Sequence, residues 1–205
     1  TASSVLTDVK TEFPGGDKPS YIPLNYDGQF HGPVQIRYAL GNSYNIPAVK
    51  TVALVGVKNV LDLGYRMGLT TWEPTDENVA SVGLSLPLGG KEVRLLDLTS
   101  AYGVLANKGV KHDPVSIMKV TDYKGKTLYE YKDDDGTKVL EEGIAFIISN
   151  ILADNQARSL AFGTASELVI PNQTVSVKTG TTNDYKDNWT IGYTPNYLVT
   201  TWVGN

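Results

Sequence analysis

The chain has 205 residues, 41% of them hydrophobic and 20% charged, which suits one ordinary globular domain with a sizeable core. Eighteen basic and 22 acidic side chains leave a net charge of −4, scattered along the chain, so no basic face for nucleic acid is present. Cysteine is absent, which excludes disulfides and Cys-ligated metal. Only two histidines, His31 and His112, are available for a His-based zinc site or a Ser-His-Asp triad. Both have Gly or Pro neighbours and read as loop residues, so neither a metal site nor a cofactor is expected.

Residues 1–33 are rich in Pro, Gly, Tyr and Asp and predict irregular, turn-laden chain. From residue 34 the apolar positions Ile36, Ala39 and Leu40 recur at helical spacing until Asn42-Ser43 interrupts them. A second helix is predicted to start near Pro47, with proline in its first turn. Ser43 and Asn45 then fall in the short connection between two helices. Residues 57–69 predict an amphipathic helix stopped near Gly68, and residues 78–90 a loop. The strongest helical pattern is 92–110, with Leu95, Leu98, Tyr102 and Leu105 as its buried stripe and Gly109 as its stop. Residues 115–131 alternate around a Lys-Gly turn and predict a β-hairpin; Asp133-Asp134-Asp135 reads as a solvated loop tip. Another apolar helix covers 141–153. Residues 174–180, 188–194 and 197–204 predict three consecutive strands, joined by TTND and a tight Pro195-Asn196 turn. Helices followed by sequential strands predict α+β architecture in a single domain, an antiparallel sheet covered by helices.

The chemistry resides in two short motifs. Lys178-Thr179-Gly180-Thr181-Thr182 lies at the end of the first of those strands. A Lys-Thr-Gly strand edge is one of three elements found in enzymes that acylate a serine with a penicillin-like amide. Gly180 lets a substrate backbone lie against the strand. The Thr181 amide can face a developing oxyanion, and the Thr179 and Thr181 hydroxyls with Lys178 can bind a carboxylate. Ser43-Tyr44-Asn45 supplies the second element, Ser-x-Asn: Ser43 can relay a proton between a base and a leaving amine, and Asn45 can hold a lysine and a substrate amide at once. Each motif alone is weak. Their order and contexts together carry the reading.

The flanks NYDGQFHGPVQIRYALGNSYNIPAVK, LDLTSAYGVLANKGV and KTGTTNDYKDNWTIGYTPNYLVTTWVGN resemble the transpeptidase domain of class A penicillin-binding proteins, from about residue 13 to the end. The resemblance implies a helix-covered five-stranded antiparallel sheet. It implies a D,D-transpeptidase that cross-links peptidoglycan stem peptides at a D-Ala-D-Ala end and is acylated by β-lactams. By position, Ser43, Asn45 and Lys178 become catalytic residues, and Thr179, Gly180, Thr181 and Thr182 substrate-binding ones. The implied location is the extracytoplasmic face of the bacterial membrane, with an anchor outside this chain. The third element, a Ser-x-x-Lys nucleophile, is expected before Ser43, yet the 42 residues preceding it contain none. Ser116-Ile117-Met118-Lys119 has the spacing but falls in a strand pattern, where i and i+3 face opposite ways. The nucleophile is therefore expected upstream of Thr1, on a segment this chain is predicted to need in order to fold well. Two other readings stay open: a β-lactamase or D,D-carboxypeptidase on the same fold, and a non-catalytic scaffold domain.

Overall fold

The computed structural model describes residues 1–14, 19–182 and 186–204. The main sheet has three antiparallel strands in the order β7 (Ser176–Thr181), β8 (Asp187–Tyr193) and β9 (Leu198–Gly204). The register pairs Lys178 with Ile191 and Gly180 with Trp189, then Ile191 with Thr200 and Trp189 with Trp202. These are the three strands predicted from alternation; the Asn183-Asp184 part of the expected connection lies outside the described residues. Among the described residues this sheet has three strands, not the five that the resemblance implies.

Two helices cover one face of it. Both α5 (Leu95–Ala106) and α6 (Glu142–Ala153) pack on the strands and on each other. Ala101 and Val104 of α5, Ala145, Ile151 and Leu152 of α6, and Ile191 and Tyr193 of β8 are all buried between them. Tyr193 is held at both ends of its ring: Tyr102 meets it edge-on at 6.2 Å, and its hydroxyl hydrogen-bonds Ser149 Oγ at 2.9 Å. The stripe expected on α5 is therefore rotated: Ala101 and Val104 are buried, whereas Leu95 is 45% exposed. The small residues let the helix approach the sheet, a choice that hydrophobicity alone does not reveal.

The other helices form a second layer around Leu61, Val82 and Leu86, with Val57, Val60 and Trp72 against them. Here α1 (Ile36–Gly41), α2 (Asn45–Val55) and α3 (Val57–Met67) follow one another, and Gly68 ends α3 in a left-handed conformation, φ 114°, as expected. Residues 78–90, expected as a loop, are instead the end of α4 (Asp76–Val82) and a 3-10 segment, Gly83–Leu88. The start signal lay just outside that window: the Thr75 hydroxyl accepts the Asn78 N–H at 3.1 Å, and Asp76 and Glu77 occupy the first turn.

Residues 1–33 also hold more order than their composition suggests. Strands β1 (Val5–Asp8) and β2 (Gly32–Gln35) pair antiparallel, and Lys50 of α2 ties β1 down through the Thr7 carbonyl at 2.7 Å. Two four-residue strands with Gly32-Pro33 in one of them give no periodic signal. The short strands β3 (Val110–Lys111) and β6 (Thr137–Lys138) pair, and β4 (Lys119–Thr121) and β5 (Thr127–Glu130) form the expected hairpin, with its strand pairing beginning later, at Lys119.

A small polar clamp joins the two layers. Asn42, 5% exposed, donates to the carbonyls of Tyr38 and Ala157 and accepts the Ala161 N–H. Gly41 lies so close to this segment that a Cβ would stand 2.8 Å from the Ala157 oxygen. Arg158, next in the chain and buried, reaches the Val177 carbonyl of β7 at 3.4 Å. The C-terminal end of α1 is thus registered against the strand that carries Lys178. Asn42→Ala strands buried partners on both layers and is expected to lower unfolding free energy by about 2–4 kcal/mol, measured by chemical denaturation.

Candidate active site

Helix α1 ends in a left-handed cap. The Ser43 N–H donates to the Leu40 carbonyl at 3.2 Å and the Tyr44 N–H to the Ala39 carbonyl at 2.9 Å, the paired bonds of a Schellman motif. The position after the cap residue normally takes glycine, because the left-handed region crowds Cβ. Here it holds Ser43 at φ 60°. A non-glycine residue there costs on the order of 1–2 kcal/mol, and such strain persists where surrounding structure enforces it. What serine offers that glycine lacks is a hydroxyl, and the turn aims it at β7.

Lys178 meets it. Its Nζ donates to Ser43 Oγ at 2.7 Å and to the Thr179 carbonyl at 2.7 Å, joining two motifs 135 residues apart. Among the described residues no carboxylate lies within ion-pair distance of Lys178. Burial therefore acts without compensation and lowers the ammonium to about 8. The strand register explains the aim. Opposed residues share a face, so Lys178 and Gly180 lie with Ile191 and Trp189 on the helix-covered side. Thr179 and Thr181 lie on the other.

Among the described residues the edge of β7 away from β8 carries no strand. Thr182 donates its N–H inward to the Asp187 carbonyl at 3.1 Å, so by alternation the Thr181 N–H points off the open edge. An extended peptide can add to such an edge through main-chain hydrogen bonds. Gly180 suits that use. Its φ is not positive, and a Cβ would meet only Trp189 Cβ, at an ordinary 3.6 Å. The chain's own packing does not require glycine there.

The remaining motif residues are less available. The Asn45 amide donates to the Leu24 carbonyl at 2.7 Å, which leaves Oδ1 and one N–H for other partners. Asn45 is the first residue of α2, not part of the connection. Thr181 Oγ1 donates to Asn188 Oδ1 at 3.2 Å. The Thr182 hydroxyl donates to Asp187 Oδ2 at 2.9 Å and accepts the Asp187 N–H at 3.0 Å, so it closes the β7–β8 connection. The structure thus brings Ser43 and Lys178 into contact and sets Asn45 two residues along, while Thr182 is taken up by its neighbour.

Ser116 and Lys119 do not form a competing nucleophile pair: Ser116 precedes β4, and Lys119 reaches across the hairpin to Glu130 at 3.0 Å. Two surface concavities, of about 460 and 510 Å³, lie at the hairpin base and between α3, α5 and β6, and neither includes Ser43 or Lys178. Sequence reasoning missed Asn42 and Arg158, whose roles depend on contacts more than a hundred and about twenty residues away in the chain. It also set aside His31, which stacks on Tyr44 at 4.0 Å and bonds to buried Asp8.

Residues 6–204 match the model of the penicillin binding protein transpeptidase domain. The chain is 35% identical over 184 residues to penicillin-binding protein 1A of Aquifex aeolicus, covering 90% of the chain and 24% of the relative. It is 32% identical over 203 residues to the protein of that name from Clostridium acetobutylicum, covering 99% and 24%. The chain therefore spans about a quarter of the length of the curated relatives it matches. Penicillin-binding protein 1A from Haemophilus influenzae superposes with a TM-score of 0.81 at 25% identity, covering all of this chain and 35% of the other. PonA1 from Mycobacterium tuberculosis, also solved in complex with penicillin V, shares the fold, with a TM-score of 0.83 for the first of these structures. With the match running over nearly the whole length, the chain belongs to the penicillin-binding protein transpeptidase domain family.

Proposed function

We propose that this domain carries part of a serine D,D-transpeptidase site that cross-links peptidoglycan stem peptides. The observation that carries the reading is the 2.7 Å bond from Lys178 Nζ to Ser43 Oγ, which turns two separate motifs into one relay beside an open strand edge. A stem peptide ending in D-Ala-D-Ala lies along β7, its terminal carboxylate drawn by the Lys178 charge and the threonine hydroxyls. The attacking serine hydroxyl bonds to the penultimate carbonyl carbon, and the oxyanion forms at the Thr181 N–H. The C–N bond then breaks. Ser43 passes its proton to the leaving nitrogen and is reprotonated from Lys178; the proton lost by the attacking hydroxyl replaces the one delivered, so the charge of the site is restored. A second stem-peptide amine reverses these steps and takes the acyl group. A β-lactam offers the same carbonyl and carboxylate and acylates the same serine.

The acylated serine lies, in this reading, on a segment of the protein outside these residues. Two observations support that: the chain covers a quarter of its relatives, and no Ser-x-x-Lys stands on a helix among the described residues. The whole protein then works at the extracytoplasmic face of the membrane, anchored elsewhere than here, since no helix among the described residues is long and apolar enough to cross a bilayer. β-lactamase activity would require fast deacylation, for which the site shows no water-activating carboxylate beside Ser43 or Lys178 among the described residues.

The direct test is intact-mass and peptide mapping of the full-length protein after benzylpenicillin. One stable penicilloyl adduct on a serine outside residues 1–205 is expected; an adduct on Ser43 or Ser116, or rapid turnover without an adduct, overturns the assignment.

The relay needs Lys178 as a cation, and its ammonium titrates near 8. The acylation rate is therefore expected to fall as pH rises through about 8. Lys178→Arg, which stays charged, is expected to be slower overall and to lack that limb in a stopped-flow pH profile.

Ser43→Gly removes the relay hydroxyl and the left-handed strain together. It is expected to raise unfolding free energy by about 0.5–1 kcal/mol, read as a higher melting temperature, while slowing acylation by about a hundredfold or more.

A further inference from the structure

Behind the Ser43–Asn45 turn sits a polar cluster that the reaction does not touch. Asp8, at the end of β1, is fully buried, and Asn25 is 5% exposed. Asn25 Nδ2 donates to Asp8 Oδ2 at 2.8 Å and to the Gln29 carbonyl at 2.8 Å. Asn25 Oδ1 accepts the Asn45 N–H at 2.8 Å. In return the Asn45 side chain holds the Leu24 carbonyl at 2.7 Å. The two bonds clasp the Leu24-Asn25 segment to Asn45, side chain to main chain in each direction.

Asp8 is fixed in turn by His31. Its Oδ2 accepts the His31 N–H at 3.0 Å and faces His31 Nδ1 at 2.7 Å, while His31 Nε2 faces Asp27 Oδ2 at 3.1 Å. His31 thus has a carboxylate at each ring nitrogen. The ring also stacks nearly parallel on Tyr44, at 4.0 Å and 10°, so the cluster grips the middle residue of Ser-x-Asn as well. Asp8 Oδ1 has no hydrogen-bond partner among the described residues.

Simple helix stability does not call for this arrangement. The N-cap residue of α2 is Tyr44, whose side chain makes no cap bond. A serine or aspartate at that position would satisfy a first-turn N–H locally. The N–H of Asn45, the first residue of the helix and out of reach of a cap side chain, is met by Asn25, 20 residues earlier, standing on a buried carboxylate whose desolvation is costly. Ser43 lies between two anchors: the Schellman bonds and Asn42 on one side, and this clasp on the other. A strained residue keeps its conformation only while both flanks are held.

We infer that Asn25, standing on Asp8, is a positioning residue of the transfer reaction, which sets where the Ser43 hydroxyl and the Asn45 amide stand. The inference rests on the proposed transpeptidase reading and acts through that same site.

The experiment uses the full-length protein and a fluorescent penicillin, with stopped flow separating the binding constant from the acylation rate constant, and with end-point labelling to count competent sites. Asn25→Ala is expected to lower the acylation rate constant by about ten- to a hundredfold, with the binding constant and the end-point unchanged. The decisive readout is the double variant. Once Ser43→Ala has removed the relay, only the Asn45 amide is left to misplace, so adding Asn25→Ala to Ser43→Ala is expected to cost a much smaller factor than Asn25→Ala costs alone. Should Asn25→Ala fail to fold, Asn25→Asp keeps the acceptor for the Asn45 N–H and loses the donor to Asp8; the same non-additive loss is expected. A wild-type rate constant in the folded single variant, losses that multiply in the double variant, or a fall only in the end-point would overturn the inference. Failure of the wild-type protein to be acylated at all would instead overturn the transpeptidase reading, so the two failures are distinct.

Discussion

The bond between Lys178 Nζ and Ser43 Oγ is the constraint that organises this structure. Its two ends belong to different layers: a turn between helices and the edge strand of a sheet. Two donor-acceptor atoms within hydrogen-bond reach leave a tolerance of a few tenths of an ångström, and layers packed through apolar side chains alone do not meet it. Polar contacts do. Asn42 fixes the end of α1 to Ala157 and Ala161, and Arg158 carries the link to Val177, one residue before the lysine. Each clamp is buried, so each resists competition from water.

The electrostatics follow from that placement. Lys178 and Arg158 are both lowered by burial, and among the described residues neither forms an ion pair. Two cationic groups on either side of Val177 are expensive for folding and useful for chemistry. In the proposed reaction an incoming carboxylate meets positive charge in a medium of low dielectric, where a given separation is worth more than in water. The lysine can also release its proton near neutral pH, which an exposed ammonium does not do. The same burial that weakens the domain's stability would serve proton transfer in the proposed reaction.

Much of this was legible in the sequence. The three sheet strands, the α1–α2 break at Asn42-Ser43, the Gly68 stop and the pairing of Lys-Thr-Gly with Ser-x-Asn came from period, turn residues and motif order. The failures share a cause. Strands β1 and β2 are four residues each and are defined by one another, and the stripe on α5 is set by how closely the helix must approach the sheet. Both are properties of partners, which a local window does not contain. His31 is the sharpest case. Its Gly and Phe neighbours describe the turn correctly, but its two carboxylates come from β1 and from the loop at Asp27. Thr182, adjacent to the motif, reads as part of it in the sequence, and its hydroxyl is bonded to Asp187 in the structure.

The separation of 135 residues between the two ends of the relay has a consequence for synthesis on the ribosome. Helices α1 and α2 leave the exit tunnel long before β7 is made. At about 5–20 residues per second, the interval between Ser43 and Lys178 is roughly 7–27 s. Until Ala157 and Ala161 are made, the Ser43 turn has its local bonds and the Asn25 clasp, with no lysine opposite. Nascent chains therefore carry the Ser43 hydroxyl without the Lys178 ammonium, and the bond between them forms only once β7 is made.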